Sequence, residues 1–340
     1  MGMIPAIFGC SGLTLTDDER AFFRECDPAG YILFGRNVGN REQVRALTGE
    51  LRALHGRDHL LISIDQEGGR VARMTPPTWT AFPPGARFAE LYQLAPASAI
   101  EAARANAEAL ALDLAEVGIT VDYLPLLDVR QEGTHDVIGD RALGSEPMQV
   151  AALGRAVLDG LARGGVTGCV KHMPGHGRAT VDSHKDLPVV EASAEELERD
   201  LAPFRSLADA PIGMSAHIRY MAWDADNPAT LSRTVIDEII RGEIGFSGLL
   251  LTDDIDMEAL YGSVPERSER AIAAGCDVVL NCWAKMDDMV GTAERLPAIS
   301  DAARGRLDAA LAVPQVADFA RREDLLAKRD SLLALAEERA

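Results

Sequence analysis

A rhythm of short apolar runs limits what this chain can become. Eight recur along it: PAIFG near residue 5, GYILFGRN from Gly30, LLISIDQEGG from Leu60, TVDYLPLLDV from Thr120, GVTGCVKH from Gly165, APIGMSAHI from Ala210, SGLLLTDD from Ser247 and CDVVLNC from Cys276. Most are apolar at successive positions instead of alternate ones, the pattern of parallel strands buried on both faces. Helical signals lie between them. Thr16 and Glu19 form a capping box ahead of AFFREC, and Ser193 and Glu196 form another ahead of Leu197, Leu201, Phe204 and Leu207. Asn40 can cap a helix whose Val44, Leu47, Leu51 and Leu54 share one face, and Gly118 and Gly275 sit where helices stop.

Strands alternating with helices, with no low-complexity linker and no internal repeat, predict an α/β fold, a (β/α)8 TIM-type barrel. It is expected to span residues 1–340 as a single domain, closed by helices from about 296, where the sequence turns rich in Ala, Arg and Glu. An open doubly wound sheet is the rival. No Gly-x-Gly-x-x-Gly follows the first strand, which weakens a dinucleotide-binding version.

The strand ends carry the functional signal. Seven of the eight runs finish in polar residues: Arg36 and Asn37; Asp65, Gln66 and Glu67; Asp128; Lys171 and His172; His217; Asp253 and Asp254; Asn281. In a barrel these ends converge on one rim, where active sites form.

Bulk properties exclude some partners. Against 34 basic side chains stand 53 acidic ones, a net charge of −19. Such a surface repels phosphate backbones and anionic lipid, so neither nucleic acid nor membrane is expected as a partner. No run of about 18 apolar residues predicts a membrane span. The start, MGMIPAIFGCSG, superficially suggests a lipoprotein cleavage site before Cys10, but it lacks a basic segment and its apolar run is too short. Five cysteines without a CxxC pair, mostly in apolar contexts, read as reduced core residues of a cytoplasmic protein.

One segment concentrates chemistry. KHMPGHGRATVDSHKDLP, from Lys171, holds three of the seven histidines. Pro174 and Gly175 between His172 and His176 argue against a helical metal pair, yet a zinc site of His172, His176, Asp182 and His184 stays open as a second reading. Alternatively, Asp182 beside His184 can hold the imidazole's tautomer and make it a general acid/base near neutral pH. The plain reading is an aspartate capping a turn beside an exposed histidine. Asp253, after GLLLT, suits a nucleophile that forms and releases a glycosyl ester. Its plain reading, and that of Asp254 and Asp256, is negative charge in the first turn of a helix.

Four segments occur together and in order: DQEGGRVARM at 65–74, VIGDRALGSEP at 137–147, the histidine-rich loop, and GLLLTDDIDM at 248–257. With MSAHIRYMAWDADNPATLS at 214–232 and AGCDVVL at 274–280, they resemble bacterial family 3 glycoside hydrolases of the β-N-acetylhexosaminidase type, in the short form that recycles cell wall. The discriminating feature is the long Gly-His loop ending in Asp-Ser-His. The resemblance implies a retaining exo-glycosidase for terminal non-reducing β-linked N-acetylglucosamine, acting on muropeptides or chitooligosaccharide-like substrates. Asp253 would be the nucleophile, His184 the acid/base and Asp182 its partner. Asp65, Arg73, Arg141, Lys171 and His172 would bind sugar. No cofactor or metal is implied, and a monomer or weak dimer is expected. A catalytically dead sugar-binding protein on the same scaffold is the remaining rival.

Overall fold

The computed structural model describes residues 2–131, 138–179, 187–312 and 316–337. Its strands are β1 (Ile4–Gly9), β2 (Pro28–Leu33), β3 (Leu61–Ile64), β4 (Val121–Asp122), β5 (Thr167–Met173), β6 (Val189–Val190), β7 (Ile212–Ser215), β8 (Arg219–Tyr220), β9 (Leu249–Asp254) and β10 (Val278–Asn281). β1, β2, β3, β4, β5, β7, β9 and β10 pair in parallel around a closed barrel, β10 returning to β1. Each of the eight apolar runs supplies one barrel strand. β6 and β8 form a separate two-stranded parallel sheet that the sequence reading did not include.

The helices are α1 (Asp17–Cys26), α2 (Arg41–His55), α3 (Gly85–Leu94), α4 (Pro96–Glu116), α5 (Pro147–Arg163), α6 (Ala194–Ser206), α7 (Val264–Ala274), α8 (Met286–Arg295), α9 (Asp301–Leu311) and α10 (Arg322–Glu337). A π-helical segment, Val235–Glu243, follows β8. Both capping boxes form at Thr16 and Ser193, and the Asn40 side chain accepts from the Gln43 N–H. These bonds satisfy N–H groups that the first helical turn leaves orphaned.

Two apolar layers explain the unbroken strand runs. Ile7, Ile32, Leu61, Val121, Tyr123, Ile212, Leu249 and Val278 fill the barrel interior. Their neighbours Phe8, Tyr31, Leu33, Ile62 and Leu250 face the helices. α9 closes the bottom: Leu307 and Ala310 join the interior cluster, and the Thr167 hydroxyl donates to the Ala310 carbonyl at 2.9 Å. α10 packs on α3 and α4, with Arg322 paired to the buried Asp113. All five cysteines are buried and unpaired. Among the described residues, no helix is long and apolar enough to cross a membrane.

Phe8 is the hinge pin between β1 and α1. It is fully buried, with ring centroids of Phe22 and Phe23 at 5.6 and 6.4 Å. Phe8→Ala should cost about 3–5 kcal/mol in guanidinium unfolding, the usual penalty for an aromatic cavity. A loss below about 1 kcal/mol would show that this layer is not close-packed.

Candidate functional site

At the C-terminal rim the strands open into a cavity of about 290 Å³. Its wall includes Asp65 and Glu67 after β3, Lys171 and His172 from β5, Asp253 and Asp254 from β9, Arg73 from a loop and Arg141 at the end of a single 3-10 turn, Gly139–Arg141. Every substrate-binding candidate among the described residues is therefore here, together with Asp253. Asp182 and His184 lie outside the described residues.

The turn after β3 shapes one side. Gly68 and Gly69 have φ of +93° and +56°, in the left-handed region that glycine adopts without strain. Gln66 pins the loop that follows: its Oε1 accepts from the N–H groups of Arg73 and Met74, and its Nε2 donates to the Met74 carbonyl. Asp65 and Glu67 then face inward as partners of Lys171. The ammonium, 2% exposed, donates to Asp65 at 3.1 Å and Glu67 at 2.8 Å. Arg141 grips Glu67 through two bonds of 2.7 Å, and Arg73 reaches Asp65 at 3.3 Å. Burial would push Glu67 up, but Lys171 and Arg141 hold its carboxyl far below the usual carboxylate range. Burial likewise opposes the charge on Lys171 and Arg141, and Glu67, with Asp65, lifts both above their ordinary values. Glu67, Lys171 and Arg141 are thus ionised at neutral pH. Among the described residues, Lys171 keeps one of its three N–H groups and Asp65 keeps spare lone pairs.

A second group orients the histidines. Asp128, fully buried, accepts from the His172 N–H and Nδ1 and from the His176 N–H. Donation from Nδ1 leaves the His172 Nε2 for the cavity. The His176 ring packs edge-on against His172, centroids 5.4 Å apart. Burial first, then the charge of His172, brings its pKa down to about 4, so it is neutral at pH 7. The loop beyond is packed tightly where it starts. A Cβ on Gly177 would lie 1.9 Å from the Val129 carbonyl oxygen, Tyr220 donates to the Gly175 carbonyl, and Arg178 pairs with Asp200. These contacts anchor residues 175–178 beside the cavity.

Asp253 stands opposite the Lys171 cluster. One carboxylate oxygen accepts from the Asp254 N–H at 2.8 Å, and among the described residues the other has no bond. Burial would raise its pKa. His172, His217, the Asp254 N–H and Lys171 outweigh that and bring it to about 2. The His217 contribution requires a charged ring, and burial holds His217 below its ordinary value. At neutral pH the remaining groups therefore act without it. His217 is a brace: Nε2 donates to the Asp254 carbonyl at 2.9 Å, and Nδ1 meets the Thr230 hydroxyl.

Asp254 and Asp256 do not serve as helix-terminal charges, because the next helix begins ten residues beyond Asp254, at Val264. Asp256 accepts from the Cys282 and Trp283 N–H groups and from Asn281 Nδ2. Asp254 accepts from the Asp256 and Cys282 N–H groups and from Trp283 Nε1. Burial and the nearby Asp256 push Asp254 well above the usual carboxylate range. Asn37 and Arg36, also strand-end residues, turn to the Cys10 carbonyl and brace β1. Sequence reasoning placed Glu67 and Asp128 at strand ends without giving them a role. The signal for Glu67 was its position two residues after Asp65, on the same edge of the DQEGG turn.

The arrangement offers paired donors and acceptors for a polyhydroxylated ligand, beside an ionised carboxylate with one oxygen unengaged among the described residues. Residues 9–311 match the glycosyl hydrolase family 3 N-terminal domain. The chain belongs to this family. It is 41% identical over 283 residues to a β-hexosaminidase of Chromobacterium violaceum, covering 82% of this chain and 78% of the relative. Its fold is similar to that of NagZ from Neisseria gonorrhoeae in complex with N-trifluoroacetyl-D-glucosamine, with a TM-score of 0.87, 32% identity and 99% of each chain covered. The same Neisseria protein in complex with zinc ion gives 0.86 and 31%, again over 99% of each chain. This family 3 chain is a glycoside hydrolase of the β-N-acetylhexosaminidase type.

Glu67 gives a test of the ionic cluster. Glu67→Gln should cost about 3–5 kcal/mol at pH 7, since it removes the buried carboxylate that Lys171 and Arg141 share. Glu67 titrates lower when folded than unfolded, so its stabilisation is present above about pH 4.3 and is lost as pH falls further. The gap between parent and variant in urea unfolding should hold from pH 7 to 5 and shrink by pH 3. A gap that widens on acidification would contradict the assignment.

Proposed function

We propose that residues 1–340 act as one catalytic unit that removes terminal non-reducing β-linked N-acetylglucosamine, with retention, from peptidoglycan-derived muropeptides. The observation that carries this reading is Asp253: ionised down to about pH 2, with one oxygen unengaged among the described residues, on the rim of a cavity the size of one sugar. A nucleophile must be a carboxylate before it attacks and a tolerable leaving group afterwards, and a low pKa serves both. Asp65, Arg73, Arg141, Lys171 and His172 hold the sugar hydroxyls and acetamide on the opposite wall.

In the first step the free Asp253 oxygen attacks the anomeric carbon while a general acid protonates the departing oxygen. In the second, the same group removes a proton from water, which cleaves the glycosyl ester. We assign that group to His184 with Asp182 as its partner. The described flanks support this, because His176 lines the cavity and the Pro188 carbonyl, just past the segment, accepts from the Arg219 N–H. Zinc in a complex of the Neisseria relative keeps a metal reading in view. Among the described residues, however, no group of three His, Cys, Asp or Glu side chains converges as a metal site, and His172 Nδ1 is committed to Asp128.

Proton NMR of the first-formed sugar tests the double displacement. The β anomer should appear first, and initial α product would overturn it. His184→Ala should slow the natural disaccharide by about 10²–10⁴-fold and an aryl glycoside with a good leaving group far less in the bond-breaking step. Equal losses on the two substrates would remove His184 from the acid role.

A further inference from the structure

Trp283 stands where the cavity ends. It follows Cys282, which lines the wall, and its Nε1 donates to Asp254 at 3.1 Å, next to Asp253. It is nevertheless 50% exposed, whereas Trp79 is buried and Trp223 half-buried. Leaving a large aromatic surface in water forfeits the hydrophobic gain of burying it, so its fixation at this spot needs a reason. The fixation is thorough. Asp256 accepts from the Trp283 N–H at 3.2 Å, and Ala284 adopts φ +56°, a left-handed conformation costly for a residue with a Cβ. The Lys285 ammonium lies 4.5 Å from the ring centroid.

The cavity size completes the argument. At about 290 Å³ it is at the small end of ligand sites and has room for one saccharide ring. The ring on the other side of the scissile bond must therefore lie outside it, at the lip. The C–H face of a pyranose is apolar and weakly positive, which suits the negative face of an indole.

We propose that Trp283 is the platform for the leaving-group saccharide, and that Lys285 beside it selects a ring bearing an anionic substituent such as a carboxylate. The proposal rests on the function proposed above and names the part of that site that reads the leaving group. Trp283 is a specificity-determining residue in this scheme. Its tethers to Asp254 and Asp256 keep the indole rigid, so little ordering is needed when the second ring arrives.

The experiment compares the full chain with Trp283→Ala, Trp283→Phe and Lys285→Met on three substrates. These are N-acetylglucosaminyl-1,6-anhydro-N-acetylmuramic acid, neutral chitobiose, and N-acetylglucosaminyl fluoride, whose leaving group is a single atom. Trp283→Ala should lower kcat/KM on both disaccharides by about tenfold more than on the fluoride, and Trp283→Phe, which keeps a flat ring but no N–H, should recover most of that difference. Lys285→Met should reduce the preference for the anionic disaccharide over chitobiose by about threefold or more. An equal loss on the fluoride, no loss on the disaccharides, or a Phe variant as impaired as Ala would overturn the platform. An unchanged preference in Lys285→Met would overturn the anionic part. Whether the parent enzyme cleaves the anionic disaccharide at all tests the proposed function, and the ratios among variants test the platform alone.

Discussion

A lysine ammonium sits at the centre of the barrel mouth with almost no access to water. Lys171 is tolerated there only because Glu67 and Asp65 share its charge and Arg141 and Arg73 tie those carboxylates to the surrounding loops. Removing a charge from water costs several kcal/mol, and a buried pair breaks even only when geometry and further hydrogen bonds are good. The cluster couples three parts of the chain that are distant in sequence: the turn after β3, the strand β5, and the turn carrying Arg141. None of these can shift without exposing an unpaired charge to a low-dielectric interior. That rigidity fixes where the polar groups of this cavity wall stand.

The same charges act at a distance on Asp253. The Lys171 ammonium adds to His172, His217 and the Asp254 N–H in favouring the carboxylate form on the facing strand. Neighbouring Asp254 has the opposite fate. Crowded by Asp256 and shielded from water, it is pushed toward the neutral form and spends its oxygens on backbone N–H groups and Trp283. Two adjacent aspartates of one strand thus differ in charge, because one has cationic and N–H neighbours and the other is buried beside a carboxylate.

Much of this was legible in the sequence. Contiguous apolar runs signal strands covered on both faces, and each of the eight became a barrel strand. The cap at Asn40 and the boxes at Thr16 and Ser193 mark helix starts because they satisfy backbone donors locally. Of α4 only the stop at Gly118 was legible, for a physical reason: Ala99, Ala102, Ala103, Ala105, Ala109 and Leu110 are buried around much of its circumference, so it has no single apolar stripe to detect. β6 and β8, two residues each, are too short to carry a period. At the site, strand-end position located Asp65, Lys171, His172 and Asp253, but it did not separate cavity walls from braces. Asn37 and His217 satisfy the same positional rule yet hold backbone in place, and only three-dimensional packing distinguishes them. Trp283 carried no sequence signal, since an isolated tryptophan after a strand is usually core.

In the proposed mechanism the carboxylate opposite the Lys171 cluster bonds covalently to the sugar. Mass spectrometry of the enzyme stalled with a 5-fluoro glycosyl fluoride of N-acetylglucosamine tests it most directly. A peptide spanning Leu249–Asp254 should carry one sugar, with fragmentation placing the ester on Asp253. A label on another residue, or steady cleavage of the natural substrate with no label on any peptide, would contradict it.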